Sequence, residues 1–435
     1  MVKERSIESR GSAKVVTVTR RAADRLRAGH LWVYRSDLQG QSSVAGGRSG
    51  GVGKPGEGGE GNKEGEGDLV TVADGRAIPI GTALSSTRSE IALRMVSRSP
   101  GLGREGYLED LRRRVAEAVG LRDELAPICE GNDARRLLFS EADGLPGIVA
   151  DQYGDICVVQ LLVQGTARPD VREVIGEALS GVFPKGTGTI WERTDSRIRE
   201  IEGLEPGPEG PIWAAGGETG SESVFRINGL RFHYDVRTGQ KTGAFLDQRL
   251  NYAAAAAYAR GRALDICTYQ GGFALHLAAR CERVTGVDAS RTALEVADKN
   301  LELNRDQVSA AVDWIEADAF ELMRAYQEAG ERFETIVLDP PAFAKTKRAT
   351  EGAMRGYKEL NLRALRMLEP GGMLVTCSCS HHVPLDEFLG VLTAAAVDAG
   401  RRVQVLETRG AAPDHPAVLT LPETNYLKCV ICRVV

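Results

Sequence analysis

The sequence predicts an α/β protein in which a small N-terminal β domain and a central α+β domain precede a domain built on an open parallel sheet. Beyond residue 237, short apolar segments alternate with helical ones, which is the pattern of a doubly wound sheet. Four acidic residues follow apolar segments there, Asp265, Asp288, Asp318 and Asp339. Strand-like segments dominate the first hundred residues, and strands and helices mix in the second hundred. These three observations together define the predicted fold class.

The boundaries follow from changes in these patterns. We expect residues 1–98 to form the β domain, 100–222 the α+β domain and 237–435 the sheet domain. Residues 223–236 form a hairpin linker, because Asn228-Gly229 stands between two alternating apolar segments and favours a two-residue turn. Periodicity in the first two domains predicts strands at 13–19, 69–73, 156–163 and 189–193, and helices at 21–28, 107–119 and 170–179.

The N-terminal domain has two compositional peculiarities. Eleven of the 27 residues at 41–67 are Gly, which predicts a flexible insertion. Residues 1–40 contain nine Lys or Arg against four acidic residues, in a chain whose net charge is −5. A local basic patch of this kind contacts phosphates, and a solvated helix face gives the same count, so charge alone leaves RNA contact by this segment open.

Composition places the chain among ordinary globular proteins. Its 435 residues are 42% apolar and 26% charged. There is no apolar run near the roughly 20 residues of a membrane span, and the charged start Met1-Val2-Lys3-Glu4-Arg5 lacks the apolar core of a secretory signal. Eight cysteines without regular spacing fit reduced thiols. We therefore expect a cytoplasmic protein that does not enter a membrane.

The third domain begins with a strand at 262–267 and a glycine-containing turn, followed by a helix. Glycines at Gly271-Gly272 allow a close backbone approach, and the helix start offers unpaired N–H groups to a polar ligand. The next strand ends at Asp288, 23 residues beyond Asp265. A carboxylate in that position accepts hydrogen bonds from the hydroxyls of a ribose.

The acidic series continues at one βα unit per step. Asp318-Ala319 follows a third strand near 312–316, and the intervals along the series are 23, 30 and 21 residues. A single aspartate at such a place reads equally well as a helix cap or a loop residue, whereas four in register favour an adenosine-type ligand. The segment lacks the G-x-G-x-x-G pattern that cradles a pyrophosphate, which favours a ligand without phosphates over a dinucleotide.

Two further strands, at 335–338 and 373–378, deliver reactive groups to the same edge. Asp339 follows the first and Cys379 the second, so we expect both at neighbouring strand ends, where open α/β sheets bind ligands. Cys377 is the competing thiol, since residues two apart on a strand face the same side. The remaining cysteine pair, Cys429 and Cys432, is predicted to face opposite ways on a final strand, and with no second pair at metal spacing we expect no metal.

Several motifs make the third domain resemble a Rossmann-like class I S-adenosylmethionine (SAM)-dependent methyltransferase. The whole chain resembles the bacterial 23S ribosomal RNA large subunit methyltransferase I family, which makes 5-methylcytosine. The motifs are Gly239 to Arg249, Tyr269-Gln270-Gly271-Gly272-Phe273, Leu338-Asp339-Pro340-Pro341, Arg355-Gly356-Tyr357-Lys358, Ser378-Cys379-Ser380, Ser140 to Gly147 and, more loosely, Gly29-His30-Leu31-Trp32-Val33.

This resemblance implies a PUA-like RNA-binding first domain, large-subunit ribosomal RNA as partner and a homodimer. The Gly-rich insertion at 41–67 departs from the family pattern and bears on the RNA-binding surface of the first domain. For the chemistry, the resemblance implies that Cys379 adds to C6 of cytosine and that Asp339 holds the protonated N3 or the exocyclic amine. Some related enzymes carry a second Cys directly after the two prolines, and Ala342 occupies that place here.

The resemblance also implies which residues contact SAM. Asp265 and Gly271 would lie near its methionine end, Asp288 at the ribose, and Asp318 with Ala319 at the adenine. Gln248 is a further cofactor candidate, and an entry helix over 241–249 that packs on the domain is the plain alternative. A basic rim of Lys345, Lys347, Arg348 and Lys358 would meet RNA phosphates, and a solvated basic loop is the plain alternative.

Three other functions stay open at the level of sequence. A related fold methylates guanine N2, and there a cysteine at 379 would have no covalent role. A SAM-dependent enzyme acting on a small molecule or a protein would not need the basic first domain. A non-catalytic ribosome assembly factor would not need both Cys379 and Asp339.

Overall fold

A computed structural model describes residues 14–39, 67–193, 195–208, 210–216, 220–238, 242–344 and 349–435. The predicted insertion at 41–67 lies outside the described residues except for Gly67. Within the described part, strands form two five-stranded sheets, a two-stranded hairpin and a seven-stranded sheet. No helix among these residues combines the length and the apolarity needed to cross a membrane.

The N-terminal sheet has the strand order β1-β3-β4-β5-β2, with β1 parallel to β3 and the other pairs antiparallel. The first strand is shorter than the predicted 13–19 because Thr19 caps the following helix, its hydroxyl accepting from the backbone N–H of Ala22 at 3.3 Å. Its elements are β1 (Val15–Thr17), α1 (Arg20–Arg27), β2 (Trp32–Tyr34), β3 (Leu69–Ala73), β4 (Pro79–Ser85) and β5 (Ile91–Ser97).

The central sheet has the order β10-β9-β8-β7-β6, in which only β8 and β9 are parallel. Its first helix is longer than predicted, since the buried stripe that holds Leu111 and Val115 ends in a charged residue, Arg122. The elements are α2 (Arg104–Leu125), β6 (Ala134–Phe139), β7 (Ile148–Tyr153), β8 (Ile156–Leu161), α3 (Pro169–Ser180), β9 (Thr189–Glu192), α4 (Ser196–Glu202) and β10 (Pro211–Ala214).

The predicted hairpin is confirmed. Strands β11 (Glu222–Ile227) and β12 (Leu230–Asp235) pair antiparallel, and both turn residues have positive φ, +52° at Asn228 and +87° at Gly229. That is the conformation of a type I′ turn, for which Asn-Gly is suited. Phe225 of the hairpin packs against Tyr153 of β7, so the hairpin connects the central sheet to the third domain.

The third domain holds a seven-stranded sheet with the order β15-β14-β13-β16-β17-β19-β18. Its elements are α5 (Arg249–Tyr258), β13 (Arg262–Ile266), α6 (Gly272–Ala278), β14 (Arg283–Asp288), α7 (Arg291–Leu303), β15 (Ala311–Glu316), α8 (Ala319–Glu328), β16 (Phe333–Leu338), α9 (Thr350–Met367), β17 (Leu368–Ser378), α10 (Leu385–Ala399), β18 (Val403–Arg409) and β19 (Lys428–Val434).

The predicted parallel sheet is confirmed for five strands, β13 to β17, and the last strand departs from it. Strand β19 runs antiparallel between β17 and β18. The segment 410–427 stays at the carboxyl edge of the sheet, so β19 starts from that edge and runs in the opposite direction. Apolar clusters cover both faces of the sheet, which is typical of parallel strands. Successive strands proceed in one direction from β13 and in the other from β16, so the carboxyl ends of these two strands form the topological switch point.

Candidate active site

A cavity of about 870 Å³ opens at this switch point. Turns that follow β13, β14, β15, β16 and β17 line it, as does the start of α4 from the central domain. Its lining includes the acidic side chains Asp247, Asp288, Asp318 and Asp339, the thiols of Cys267 and Cys379, and the aromatic rings of Phe245, Tyr252, Tyr269, Phe273, Phe320 and Phe343.

The turn between β13 and α6 forms one wall of the cavity in an uncommon backbone conformation. Cys267 and Tyr269 have φ of +64° and +53°, a left-handed region that side chains other than glycine rarely adopt. Gly271 follows at +84° and is the N-cap residue of α6. Backbone strain of this kind costs about 1–3 kcal/mol per residue and is typical of ligand-binding turns.

Asp265 lies behind this turn and is fully buried. Its Oδ2 accepts from the Thr268 hydroxyl at 2.5 Å and from the backbone N–H of Ala274 at 2.9 Å. Its Oδ1 is buried and accepts from no group in the described part of the chain. Burial raises the pKa of Asp265 to about 7, and the charge of Asp288 adds to the shift. The carboxylate therefore lacks the partner that would stabilise its ionised form.

Asp288 and Asp318 line the cavity as predicted, and backbone N–H groups hold both. Asp288 accepts from the N–H of Tyr269 and of Ser290, each at 2.9 Å. Asp318 is also the N-cap of α8, since its Oδ1 accepts from the N–H groups of Phe320 and Glu321 at 2.9 and 3.0 Å. The carboxylate of Asp318 therefore caps a helix and also faces the cavity, so both roles considered from the sequence apply to it. Ala319 lies beside it on the cavity wall.

Asp339 and Cys379 both line the cavity, so the expected placement at neighbouring strand ends is confirmed. Gln248 fixes the carboxylate of Asp339, because its Nε2 donates to Oδ2 at 3.1 Å. Asn251 in turn holds the Gln248 side-chain oxygen at 2.6 Å. The thiol of Cys379 lies 3.9 Å from the carbonyl oxygen of Pro340, at the turn that follows β16.

The two candidate thiols, between which sequence spacing did not decide, have different environments in the structure. Strand β17 ends at Ser378, so Cys379 follows the strand and turns toward the cavity. Cys377 is fully buried inside the sheet, opposite Cys429 of β19, and burial raises the pKa of its thiol. Cys429 and Cys432 belong to the apolar clusters on opposite faces of the sheet, which confirms that they face opposite ways.

The predicted basic rim is described only in part. Lys345, Lys347 and Arg348 lie outside the described residues. Lys358 does not line the cavity; its Nζ pairs with Asp398 of α10 at 2.7 Å, between two helices that cover the sheet. Contact of these four residues with RNA stays a prediction.

Sequence reasoning missed two contributors to the site. Arg193 and the three residues Asp195, Ser196 and Arg197 at the start of α4 line the cavity from another domain, and no local pattern indicated that contact. Lys428 begins β19 next to the end of β17, and its Nζ donates to the carbonyl oxygen of Ser380 at 2.6 Å. A signal for Lys428 was available, since it is a lone cation at the start of an apolar strand.

The chain matches two family models, that of the S-adenosylmethionine-dependent methyltransferases at residues 208–425 and that of PUA-like domains at 16–98. It is also similar to ribosomal RNA large subunit methyltransferase I of Serratia proteamaculans, with 38% identity over 370 residues, 85% of this chain and 91% of the relative. The chain belongs to this methyltransferase family. The homologue of Klebsiella pneumoniae is 41% identical over 74% of this chain and 79% of its own length.

Solved structures agree on the fold of this methyltransferase. A protein described as a SAM-dependent methyltransferase from Streptococcus mutans superposes with a TM-score of 0.74 at 16% identity, over 97% of this chain and 100% of that one. A second methyltransferase structure, complexed with S-adenosylhomocysteine, has a TM-score of 0.75 over the same shares at 16% identity. At this identity the likeness shows the architecture alone.

SAM is the methyl donor of this family, and the residues present fit it. The amino group of its methionine part is a cation, and behind the wall that it would face lies the carboxylate of Asp265, whose buried Oδ1 has no donor in the described part of the chain. Asp288, fixed by two backbone N–H groups, is suited to the ribose hydroxyls. The cavity also offers the apolar side chains of Ala319 and Phe320 to the flat adenine ring.

Proposed function

We propose that this protein methylates C5 of a cytosine in 23S ribosomal RNA through a covalent adduct between Cys379 and C6 of the base. The names of its relatives support ribosomal RNA of the large subunit as the substrate. The observation that carries the proposed mechanism is the placement of Cys379 and Asp339 on one cavity with the residues that fit SAM.

The adduct answers a chemical problem, since C5 of cytosine is a poor nucleophile. The thiolate of Cys379 forms a bond to C6, and the electrons of the C5–C6 double bond become available at C5. SAM, when bound, supplies the electrophilic methyl group that C5 takes up. A base then takes the C5 proton, the electrons of the C5–H bond form the C5–C6 double bond again, and the C6–S bond breaks with both electrons on sulfur, so that Cys379 returns as a thiolate.

Asp339 holds the base in this mechanism. Addition at C6 increases electron density at N3, and a carboxylate that accepts from the protonated N3 or the exocyclic amine stabilises the adduct. Gln248 keeps that carboxylate in place through its bond to Oδ2, which adds a positioning role to its predicted contact with SAM. Ala342 also lines the cavity, so release of the adduct uses no thiol at that position.

Each predicted cofactor residue is assigned to one part of SAM. Asp265 and Gly271 serve the methionine end, Asp288 the ribose, and Asp318 and Ala319 the adenine. The first two lie behind the cavity wall, so their contribution passes through the Oδ1 of Asp265 and the backbone at the start of α6. The other three residues line the cavity directly.

RNA contact is assigned to the PUA-like domain and to the basic segment that follows Ala344, with Lys345, Lys347 and Arg348. The lining of the cavity reaches Phe343, which precedes that segment in the chain, and a base must leave its stack to reach Cys379. A homodimer, cytoplasmic location and the domain limits at 98, 222 and 237 are expectations that we retain from the sequence.

The test uses ribosomal RNA from cells that lack the protein, incubated with labelled SAM and analysed as nucleosides by mass spectrometry. We expect label in 5-methylcytosine with the unaltered protein and none with Cys379→Ala. Cys377→Ala is the matched control, because it removes a thiol two residues away that does not line the cavity, and it should retain activity. Label in N2-methylguanine, or full activity of Cys379→Ala, would overturn the proposed mechanism. Labelled protein or small molecule with unlabelled RNA would overturn the proposed substrate.

A further inference from the structure

Lys428 is a buried lysine at the edge of the sheet where the cavity opens. It pairs with Ser378 in the register between β17 and β19, and it is 7% exposed. Its Nζ donates to two carbonyl oxygens, those of Ser380 at 2.6 Å and Tyr426 at 2.8 Å. Since an ammonium group has three N–H donors, these two bonds fix its position and leave one donor for a further partner.

The cation has no carboxylate partner in the described ranges, where none of the ion pairs involves Lys428. A buried charge without a counter-charge is costly. Burial accordingly lowers the pKa of Lys428 to about 8, and negative charge on Cys379 is what raises it. Because Nζ bonds the carbonyl oxygen of Ser380, the thiol of the preceding residue, Cys379, is the nearest candidate for a negative charge that would balance this cation.

The ionisable groups around this pair are Tyr357 from α9, Tyr426 and Glu423 from the segment before β19, Asp247 from the segment before α5, Asp339 after β16, and His381 after β17. The hydroxyl of Tyr426 donates to Asp247, and the hydroxyl of Tyr357 bonds with those of Ser378 and Ser380 at 3.0 Å. Asp339 accepts from Gln248. Glu423 keeps one buried carboxylate oxygen, Oε2, without a donor in the described ranges, and its negative charge acts on His381.

We propose that Lys428 is a positioning residue whose ammonium group pairs with the thiolate of Cys379. The proposal rests on the proposed role of Cys379 as nucleophile. When the pair forms, the S–H bond of Cys379 breaks, both electrons stay on sulfur, and the proton leaves to solvent. The ammonium group of Lys428, which stays protonated, balances the new negative charge on sulfur. The carbonyl groups of Ser380 and Tyr426 keep the ammonium in place when the thiolate forms its bond to C6.

The pair also explains why a lysine stands at the start of an apolar strand. Its bond to Ser380 fixes the chain one residue beyond the nucleophile, which orients Cys379 after β17 has ended. A lysine with a purely structural role would also fix the chain through this bond, but it would not affect the ionisation of the thiol. The reactivity of Cys379 as a function of pH separates the two roles, because only the thiolate reacts with an alkylating agent.

The experiment measures alkylation of Cys379 by iodoacetamide between pH 5 and 10, with the labelled peptide identified by mass spectrometry. In the full chain we expect a midpoint below the value of about 8.5 of an unperturbed thiol. Lys428→Met should raise the midpoint by at least about one pH unit and slow alkylation at pH 7 about tenfold, since the thiolate fraction falls accordingly. Lys428→Arg, which keeps the charge, should stay near the unaltered protein. Lys299→Met, a surface lysine of α7, is the control and should change nothing.

A midpoint at or above about 8.5 in the unaltered protein overturns the pairing, whether or not Lys428→Met folds. An unchanged profile in a folded Lys428→Met, with SAM binding intact, overturns it too, and a raised KM for RNA in that variant would then indicate a phosphate contact. Failure of the proposed function looks different. In that case Cys379→Ala still produces 5-methylcytosine, while the alkylation profiles continue to report on the pair.

Discussion

Two regions of this molecule bury charged groups, and they treat them in opposite ways. One is the junction between the central sheet and the third domain, around Asp414 in the segment before β19. The other is the wall of the cavity around Asp265. Both aspartates are fully buried. Burial alone would raise the pKa of each, yet the pKa of Asp414 is lowered to about 2 and that of Asp265 is raised to about 7.

The difference lies in the partners. Asp414 accepts from the Arg249 guanidinium at 2.7 Å, from His415 at 3.0 Å and from the backbone N–H of Arg136 at 3.0 Å. Arg122, also fully buried, donates to the backbone oxygen of Asp414 at 2.9 Å. At the junction Arg249 therefore pairs with Asp414, and Arg122 pairs with Asp143 at 2.6 Å. Asp265 has two uncharged donors, and its other oxygen has no partner among the residues that the structure describes.

We conclude that paired buried charge in this protein holds domains together, whereas unpaired buried charge indicates where a ligand completes the structure. A buried group is costly until something neutralises it. At the junction the chain supplies that partner itself. At the cavity the partners that we propose are SAM and, during the reaction, the thiolate of Cys379 and the base.

The largest effect on stability is expected at the junction. Asp414→Ala leaves the Arg249 guanidinium buried without its counter-charge, which should lower the free energy of unfolding by about 3–5 kcal/mol. Chemical denaturation at pH 7 measures the loss. Asp398→Ala is the control, because its partner Lys358 is partly exposed, and it should cost less than about 1 kcal/mol. Equal costs for the two variants would contradict the distinction between the regions.

At the cavity, removing a buried carboxylate should have the opposite effect on stability. The raised pKa of Asp265 means that its contribution to stability is present below the unfolded value of about 4 and is lost as the pH rises through about 7. Asp265→Asn should therefore make the free protein more stable than the unaltered one at pH 8, by about 2 kcal/mol, with no difference near pH 4. Thermal unfolding at the two pH values measures this. A variant less stable than the unaltered protein at pH 8 would show that Asp265 already has its partner.

The pH dependence of SAM binding also tests whether Asp265 lacks a partner in the free protein. A cationic amino group prefers the ionised carboxylate, so SAM affinity should rise with pH and level off above about 7. Calorimetric titration of the unaltered protein should show about a fivefold weaker affinity at pH 6 than at pH 7, because the ionised fraction of Asp265 falls by that factor. In Asp265→Asn the affinity should be at least about tenfold lower at pH 8 and should not vary with pH. A pH-independent affinity of the unaltered protein would remove Asp265 from the SAM site.

The smallest effect is expected where the N-terminal domain meets the central one. The indole N–H of Trp32 donates to Glu141 Oε1 at 2.7 Å, and Arg94 donates to the same oxygen at 2.8 Å. Trp32→Phe removes one of these bonds and leaves the charge paired, so it should cost about 1 kcal/mol in denaturant unfolding. Trp191→Phe, whose lost bond to Gly220 is exposed, is the control and should cost less. A cost of Trp32→Phe above about 3 kcal/mol would mean that Arg94 alone does not satisfy Glu141.

The sequence was sufficient for the parts of the site that follow from local pattern. Asp288, Asp318, Asp339 and Cys379 each come just after a strand or at its end, and parallel strands bring those ends to one edge. Local pattern could not show the antiparallel insertion of β19. The direction of this strand depends on the edge of the sheet at which the segment 410–427 ends.

Contacts between distant segments were equally out of reach. Lys428 bonds to a residue 48 positions away, and Trp32 to one 109 positions away. The motifs around Trp32 and Glu141 were recognised separately from their resemblance to the family, and the structure shows that they touch. Periodicity defines which face of an element is buried, but it does not state which distant polar group that face will meet.

The most direct test of the site is to trap the adduct. Ribosomal RNA transcribed with 5-fluorocytidine has no C5 proton to release, so a thiolate that adds to C6 should remain attached after methyl transfer from SAM. We expect a protein–RNA complex that survives denaturing electrophoresis with the unaltered protein and with Cys377→Ala, and none with Cys379→Ala. Formation of 5-methylcytosine in normal RNA without any trapped complex, or a complex that persists in Cys379→Ala, would contradict the assignment of Cys379 as the nucleophile.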